Sequence, residues 1–233
     1  MEGKFEEIKQ EILRRAHDAG ACKEQYGRAY KAETMAGLCR VIKDNWGWYC
    51  DNAVVTPDLL KKYRDEFAEQ QIYVNVDTDN GFLLATGNAT LEAWGNATVW
   101  ASGNAMVEVW DDVTVRAWDN ATVRAWDNAT VRAWDNATVR ASGNAMVEAW
   151  DNATVRVSGN AMVEAWDNAT VRASDNAMVE AWDNATVRAS DNAYCTSYRM
   201  IKCKLSGHAL HKVRSTNTVY FASDGIKFVK QES

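Results

Sequence analysis

The chain has 233 residues, is 47% hydrophobic and carries a formal net charge of −6, with one Pro, five Cys and three His. It can build a continuous core in one or two domains, and no run of eighteen apolar residues offers a membrane span. Met1-Glu2-Gly3-Lys4 does not open a secretion signal, so a cytoplasmic setting is expected. An odd Cys count in such a chain argues for free thiols, and no Cys-x-x-Cys or clustered Cys/His spacing supports zinc.

Residues 2–19 read as a helix, with Phe5, Ile8, Ile12, Leu13 and Ala16 on one face and Gly20 as its stop. Residues 22–31 add a short helix. A third starts near Thr34, with Met35, Leu38, Cys39, Ile42 and Trp46 on one stripe. Thr56-Pro57-Asp58 is a helix start that supplies a cap, a fixed φ and an acidic first turn; Leu59, Leu60, Tyr63 and Phe67 form the buried face behind it. Residues 72–76 turn to strand character. Residues 1–79 are thus expected to form a small α-helical N-terminal cap. Within it Trp46, Trp48 and Tyr49 are the most tempting contact residues, although such spacing also suits a core.

From Asn88 to Asp191 one unit, Asn-Ala-Thr-Val-Arg-Ala-Trp-Asp, recurs thirteen times with few changes. In Asn120–Asp127, Ala121, Val123 and Ala125 alternate with Thr122, Arg124 and Trp126. That is a strand with one buried face. Asp or Gly at the eighth position tolerates a left-handed backbone, so each unit ends in a corner. One unit cannot bury its Ala-Val-Ala face but stacked units can. Residues 80–191 are therefore expected to form a parallel β-solenoid, mainly β, with the repeated Asn forming ladders bonded to the turn backbone. Asn80–Gly87 is a bulkier first unit in the same register.

From Asn136 the outward residues alternate: Thr138-Arg140-Ser142, Met146-Glu148-Trp150, Thr154-Arg156-Ser158, Met162-Glu164-Trp166. A period of sixteen follows, with two eight-residue strands per coil. Trp118, Trp134, Trp150, Trp166 and Trp182 then share one column, and Arg124, Arg140, Arg156, Arg172 and Arg188 share another. The rival is a 24-residue coil, which would set Arg140 over Glu164 over Arg188. It has the better electrostatics, because like charges at strand spacing repel by roughly 1 kcal/mol in water. The sixteen-residue coil is preferred and gives a rod about 30 Å long. Residues 192–233 keep the register with bulkier inward residues and continue as strands to Ile226-Lys227-Phe228. They form a β-rich C-terminal cap, in which Cys195 and Cys203 take inward positions.

Chemical sites are not expected. His17, His208 and His211 lack an obvious nucleophile or acid partner, the repeat carries no loop insertions, and a site of repeated positions would be thirteen-fold degenerate. An enzyme, a cofactor site and a metal site are each argued against. One corner Asp per turn, replaceable by Gly, is too poor a ligand set for calcium. A single outward Thr flanked by charge does not make an ice-binding lattice. Asn-Ala-Thr matches the glycosylation pattern without the secretion signal that would give it meaning.

The octapeptide, with the flanks Ile12–Ala16, Ala21-Cys22, Val41–Trp46 and Ser223–Phe228, resembles octapeptide-repeat β-solenoid proteins of gut Bacteroidales and their phages. The resemblance implies a β-helix and a bacterial or phage source, and carries no activity with it.

Function is expected in the outward columns. Trp118, Trp134, Trp150, Trp166 and Trp182, with Met146, Met162 and Met178 and with Glu148, Glu164 and Glu180, make a candidate face for a protein partner or for self-association, Arg face to Glu face. The same Trp column would equally serve as a stabilising ladder. The alternative is an acidic nucleic-acid mimic that inhibits a host DNA-processing or defence enzyme, since residues 80–191 carry 15 acidic against 7 basic groups. Direct nucleic-acid binding is not expected, because only residues 192–233, with 7 basic against 2 acidic groups, are basic.

Overall fold

A computed structural model describes residues 2–222. They fall into two compact units. One runs to Val74 and takes in Gly81–Leu84; the other comprises Asn75–Asn80 and the chain from Ala85 on.

The first unit holds α1 (Glu2–Asp18), α2 (Lys23–Tyr30), α3 (Met35–Asp44), α4 (Trp46–Asp51), α5 (Pro57–Lys62) and α6 (Arg64–Ala68), with β1 (Ile72–Val74) parallel to β2 (Phe82–Ala85). Ile8, Ile12, Leu38, Ile42, Leu60 and Phe67 form its core. The expected caps are present: Thr34 Oγ1 accepts from Gly37 N at 3.1 Å and Thr56 Oγ1 from Leu59 N at 3.3 Å. The four helices expected here are six. Asn45 breaks the third, at φ −130°, because its side chain donates to Val41 O and Gln25 Oε1 and so competes for the helix carbonyls. Tyr63 breaks the fourth at φ −119°, with its hydroxyl held by Glu7 at 2.6 Å. Trp46 and Tyr49 are buried, and the Trp46 ring lies 5.3 Å from that of Phe82; these two aromatics are core rather than contact surface.

The second unit is the β-solenoid, with sixteen residues per coil. Every parallel pairing from Thr90 onward joins residue i to i+16. One sheet stacks strands that begin at Thr90, Met106, Thr122, Thr138, Thr154, Thr170, Thr186 and Lys202. The other stacks those that begin at Thr98, Thr114, Thr130, Met146, Met162, Met178, Tyr194 and Leu210. Inward Ala, Val and Ala side chains from the two sheets meet in a core whose members are essentially fully buried from Ala105 to Ala137. Small β-branched and methyl side chains allow two short strands to face each other closely, so the coil is flat.

The corners carry the closure. The eighth residue is left-handed throughout, from Gly95 (φ 65°) and Asp111 (φ 61°) to Asp191 (φ 57°). Where Asp stands there, its carboxylate in most cases accepts the backbone N–H of the corner one coil earlier, as in Asp119 to Gly103 (2.9 Å) and Asp175 to Gly159 (3.0 Å). The Asn ladder differs from the expected one. Asn Nδ2 donates to the side-chain oxygen of the Asn sixteen residues before, in the runs Asn120–Asn104–Asn88 and Asn192–Asn176–Asn160–Asn144–Asn128, rather than to turn backbone.

Unpaired strand edges invite aggregation. Residues 75–80 lie on the edge of Thr90–Ala93, where Thr78 N donates to Glu92 O and Asp77 Oδ1 accepts from Glu92 N. At the far end the chain reverses, and Thr218–Phe221 pairs antiparallel with Leu210–Val213. The expected strand at Ile226–Phe228 lies outside the described residues.

Two outcomes follow. Asp167→Val is expected to cost about 1–2 kcal/mol, since a β-branched residue must hold φ near 55° and one corner acceptor is lost, whereas Asp167→Gly loses the same acceptor but holds that φ freely and is expected to cost less; urea unfolding measures both. In the helical unit, hydrogen bonds from Arg14 and then Arg15 hold the Glu11 carboxyl near 2, below its ordinary 4.5. Its contribution to stability is therefore present above pH 4.5 and lost as pH falls toward 2. Glu11→Gln is expected to flatten that acid-side decline in the thermal midpoint.

Candidate functional site

The sixteen-residue register sorts the outward residues into two faces of opposite character. On the sheet containing Met146, the Trp ring centroids are spaced 5.3 Å (Trp118–Trp134), 4.9 Å (Trp134–Trp150), 4.8 Å (Trp150–Trp166) and 4.8 Å (Trp166–Trp182), with interplanar angles of 14° or less. Stacking covers the ring faces, so each Trp is half-buried and presents an edge. Each such pair contributes about 0.5–1.5 kcal/mol beyond its buried area. Met146, Met162 and Met178, paired in register on the same face, are 45%, 43% and 49% exposed. Between the Met and Trp columns lie Glu148, Glu164 and Glu180. Glu148 accepts from Arg132 Nε at 3.0 Å and Glu180 pairs with Arg214, while Glu164 has no cationic partner among the described residues.

The opposite sheet carries Arg140, Arg156, Arg172, Arg188 and Lys204 in one exposed row. Arg124 at its start is bonded to Glu108 at 2.7 Å; the five cations after it have no carboxylate partner among the described residues. Ser142, Ser158, Ser174 and Ser190 stand where the other face has Trp, and the missing bulk leaves a groove beside the cations. Two hollows of about 290 and 260 Å³ line it, one between Trp126 and Ser158 and the next between Arg156 and Ser206. Neighbouring cations at strand spacing in water repel by roughly 1 kcal/mol before the side chains fan apart. The row is thus a local basic strip inside an acidic repeat.

A buried cluster with chemical character lies in the terminal coils. His211, without a partner in the sequence reading, is buried and sits 2.8 Å from Ser197 Oγ. Ser197 donates its own proton to Arg199 O at 2.6 Å, so it accepts from His211 Nε2. That polarity is the reverse of a serine nucleophile facing its base, and both side chains are closed to solvent. Cys195 is buried in its inward position, and the neighbouring Cys203 together with burial pushes its thiol up. The neighbouring Cys195 holds the half-buried Cys203 thiol below its ordinary range, with His211 acting in the same direction. Among the described residues no group of three His, Cys, Asp or Glu is placed to hold a metal ion. No helix is long and apolar enough to cross a membrane.

All eleven interaction residues expected from sequence lie on one sheet, in three adjacent columns. The groove on the other sheet was missed as a site. Its signal was present, in the Ser that replaces Trp in every second unit from Ser142.

Arg172→Glu is expected to raise the unfolding midpoint at low ionic strength by relieving Arg156 and Arg188, and the gain should vanish at high salt. No protein-family model, curated protein or solved structure matches the chain, so the two faces carry the functional reading.

Proposed function

We propose that this protein is a non-catalytic β-solenoid scaffold, a protein-interaction module that binds through its outward columns. The Met146–Met162–Met178 row carries the reading. Three exposed methionines in strict register, beside a row of carboxylates and the edges of stacked Trp, form a contiguous apolar strip with a polar margin. Met and aromatic residues are enriched in interface cores, and the flexible thioether adapts to a partner's contour. Five free thiols suit work in the cytoplasm. The corner Asp side chains supply most of the solenoid's acidity, and most of their carboxylates already accept backbone N–H bonds. An acidic nucleic-acid mimic would therefore rest on the shorter Glu148–Glu164–Glu180 row.

The two apolar columns have separable roles. Met146→Thr with Met162→Thr and Met178→Thr is expected to abolish partner retention in a pull-down and to lower solution mass, while the urea midpoint barely moves. Trp150→Ser with Trp166→Ser breaks three stacks and is expected to cost roughly 2–4 kcal/mol. Unchanged retention and mass in the Met variant would remove the strip from the interaction surface.

A further inference from the structure

We propose that the partner is a second copy of this chain, the Met-Glu-Trp face of one solenoid seated on the Thr-Arg-Ser face of the next. The inference rests on the interaction role above and names its occupant.

Over the three coils that carry Met-Glu-Trp units, the two faces match at every outward position. Where one has Glu148, Glu164 and Glu180, the other has Arg156, Arg172 and Arg188. Where one has Trp150, Trp166 and Trp182, the other has Ser158, Ser174 and Ser190, with the groove that the missing indoles leave. Where one has exposed Met, the other has Thr154, Thr170 and Thr186. Charge therefore meets opposite charge, and bulk meets a hollow.

The match does not depend on how the copies are turned. Each strand presents three outward residues, and the charged one is in the middle. Apposing the faces with strands parallel sets Met against Thr and Trp against Ser. Apposing them antiparallel sets Met against Ser and Trp against Thr. Glu meets Arg in both, and each large side chain meets a small one. The axial spacing agrees by construction, because both faces are cut from the same sixteen-residue coil. A match at one coil is therefore a match at each of the three coils that carry these units.

The charges left over are placed accordingly. Arg156, Arg172 and Arg188 have no carboxylate within their own molecule among the described residues, and neither does Glu164 a cation. Glu148 and Glu180, at the ends of the acidic row, are steadied by Arg132 and Arg214. The three matched coils at strand spacing, with six residues across, present roughly 300 Å² per copy, below the ~800 Å² per partner of a standard specific interface, so the contact is a weak, concentration-dependent one. The contact is heterologous, so each seated copy offers a fresh face to another, and the stack does not close on itself.

Sedimentation and light scattering on the full chain test this. Mass is expected to rise above 26.0 kDa with concentration and to fall back with added salt. Arg156→Glu with Arg172→Glu and Arg188→Glu is expected to stay monomeric, as is Glu148→Arg with Glu164→Arg and Glu180→Arg. An equimolar mixture of the two is expected to associate again, because each variant restores the charge its partner lost. Should circular dichroism show the Arg-rich variant unfolded, Glu164→Arg alone replaces it, since it breaks no ion pair. Wild-type protein that stays at 26.0 kDa at every concentration overturns the proposal, as does a folded mixture that stays monomeric. Monomeric protein that captures another protein through the Met row overturns self-stacking and leaves the scaffold reading standing. Monomeric protein that binds inorganic polyphosphate through the Arg row overturns it in favour of a polyanion.

Discussion

Everything in the solenoid depends on one constraint, a left-handed residue at every eighth position that returns the chain over itself. Asp or Gly there turns a four-residue strand through a corner. Two such corners bring residue i+16 onto residue i. The core has no other means of closing, because an Ala-Val-Ala face is too small to be buried by anything but its neighbours above and below. An Asp at the corner can also take the N–H of the preceding corner, as Asp119 and Asp175 do, so one side chain serves conformation and hydrogen bonding together.

That register has an electrostatic consequence. Identical residues in successive coils become neighbours at strand spacing, so a charge repeated every sixteen residues is placed beside its like. For Trp and Asn the repetition is favourable: rings stack and amides chain. For Arg it is not. The fold accepts a row of repelling guanidinium groups on one sheet and a shorter carboxylate row on the other. A 24-residue coil would have interleaved the two signs within one molecule. From Asn136 on, the sixteen-residue coil places Glu on one face and Arg on the other, so neutralisation of those rows is left to whatever binds.

A cluster with chemical character sits where the repeat has decayed. Cys195, Cys203, Ser197 and His211 occupy inward positions of the terminal coils. Ser197 and His211 are paired, and the Ser197 hydroxyl donates to Arg199 O, which meets the requirement that buried polar groups be hydrogen-bonded. The reversal at Thr218–Phe221 then ends parallel stacking, since an antiparallel strand cannot be followed by another coil in the same register.

Period-two alternation in Asn120–Asp127, with Asp or Gly at each eighth place, was enough to specify strands, corners and a solenoid. The alternation of Met-Glu-Trp with Thr-Arg-Ser units from Asn136 pointed to the coil length, because it repeats every sixteen residues. Four amphipathic stripes located the helical segments of the first unit. Their interruption at Asn45 and Tyr63 was not legible, since it arises from side-chain bonds to Gln25 and Glu7, which lie far away in sequence. The pairing of His211 with Ser197 was hidden for the same reason. The Trp column could be read as a binding strip or as a ladder; ring separations near 4.8 Å decided that its faces are spent on each other and that Met is the exposed apolar row. Local patterns declare themselves in sequence because neighbours along the chain set them. Which charges find partners, and which side chains cover one another, is decided by residues that only the coiling of the chain brings within reach.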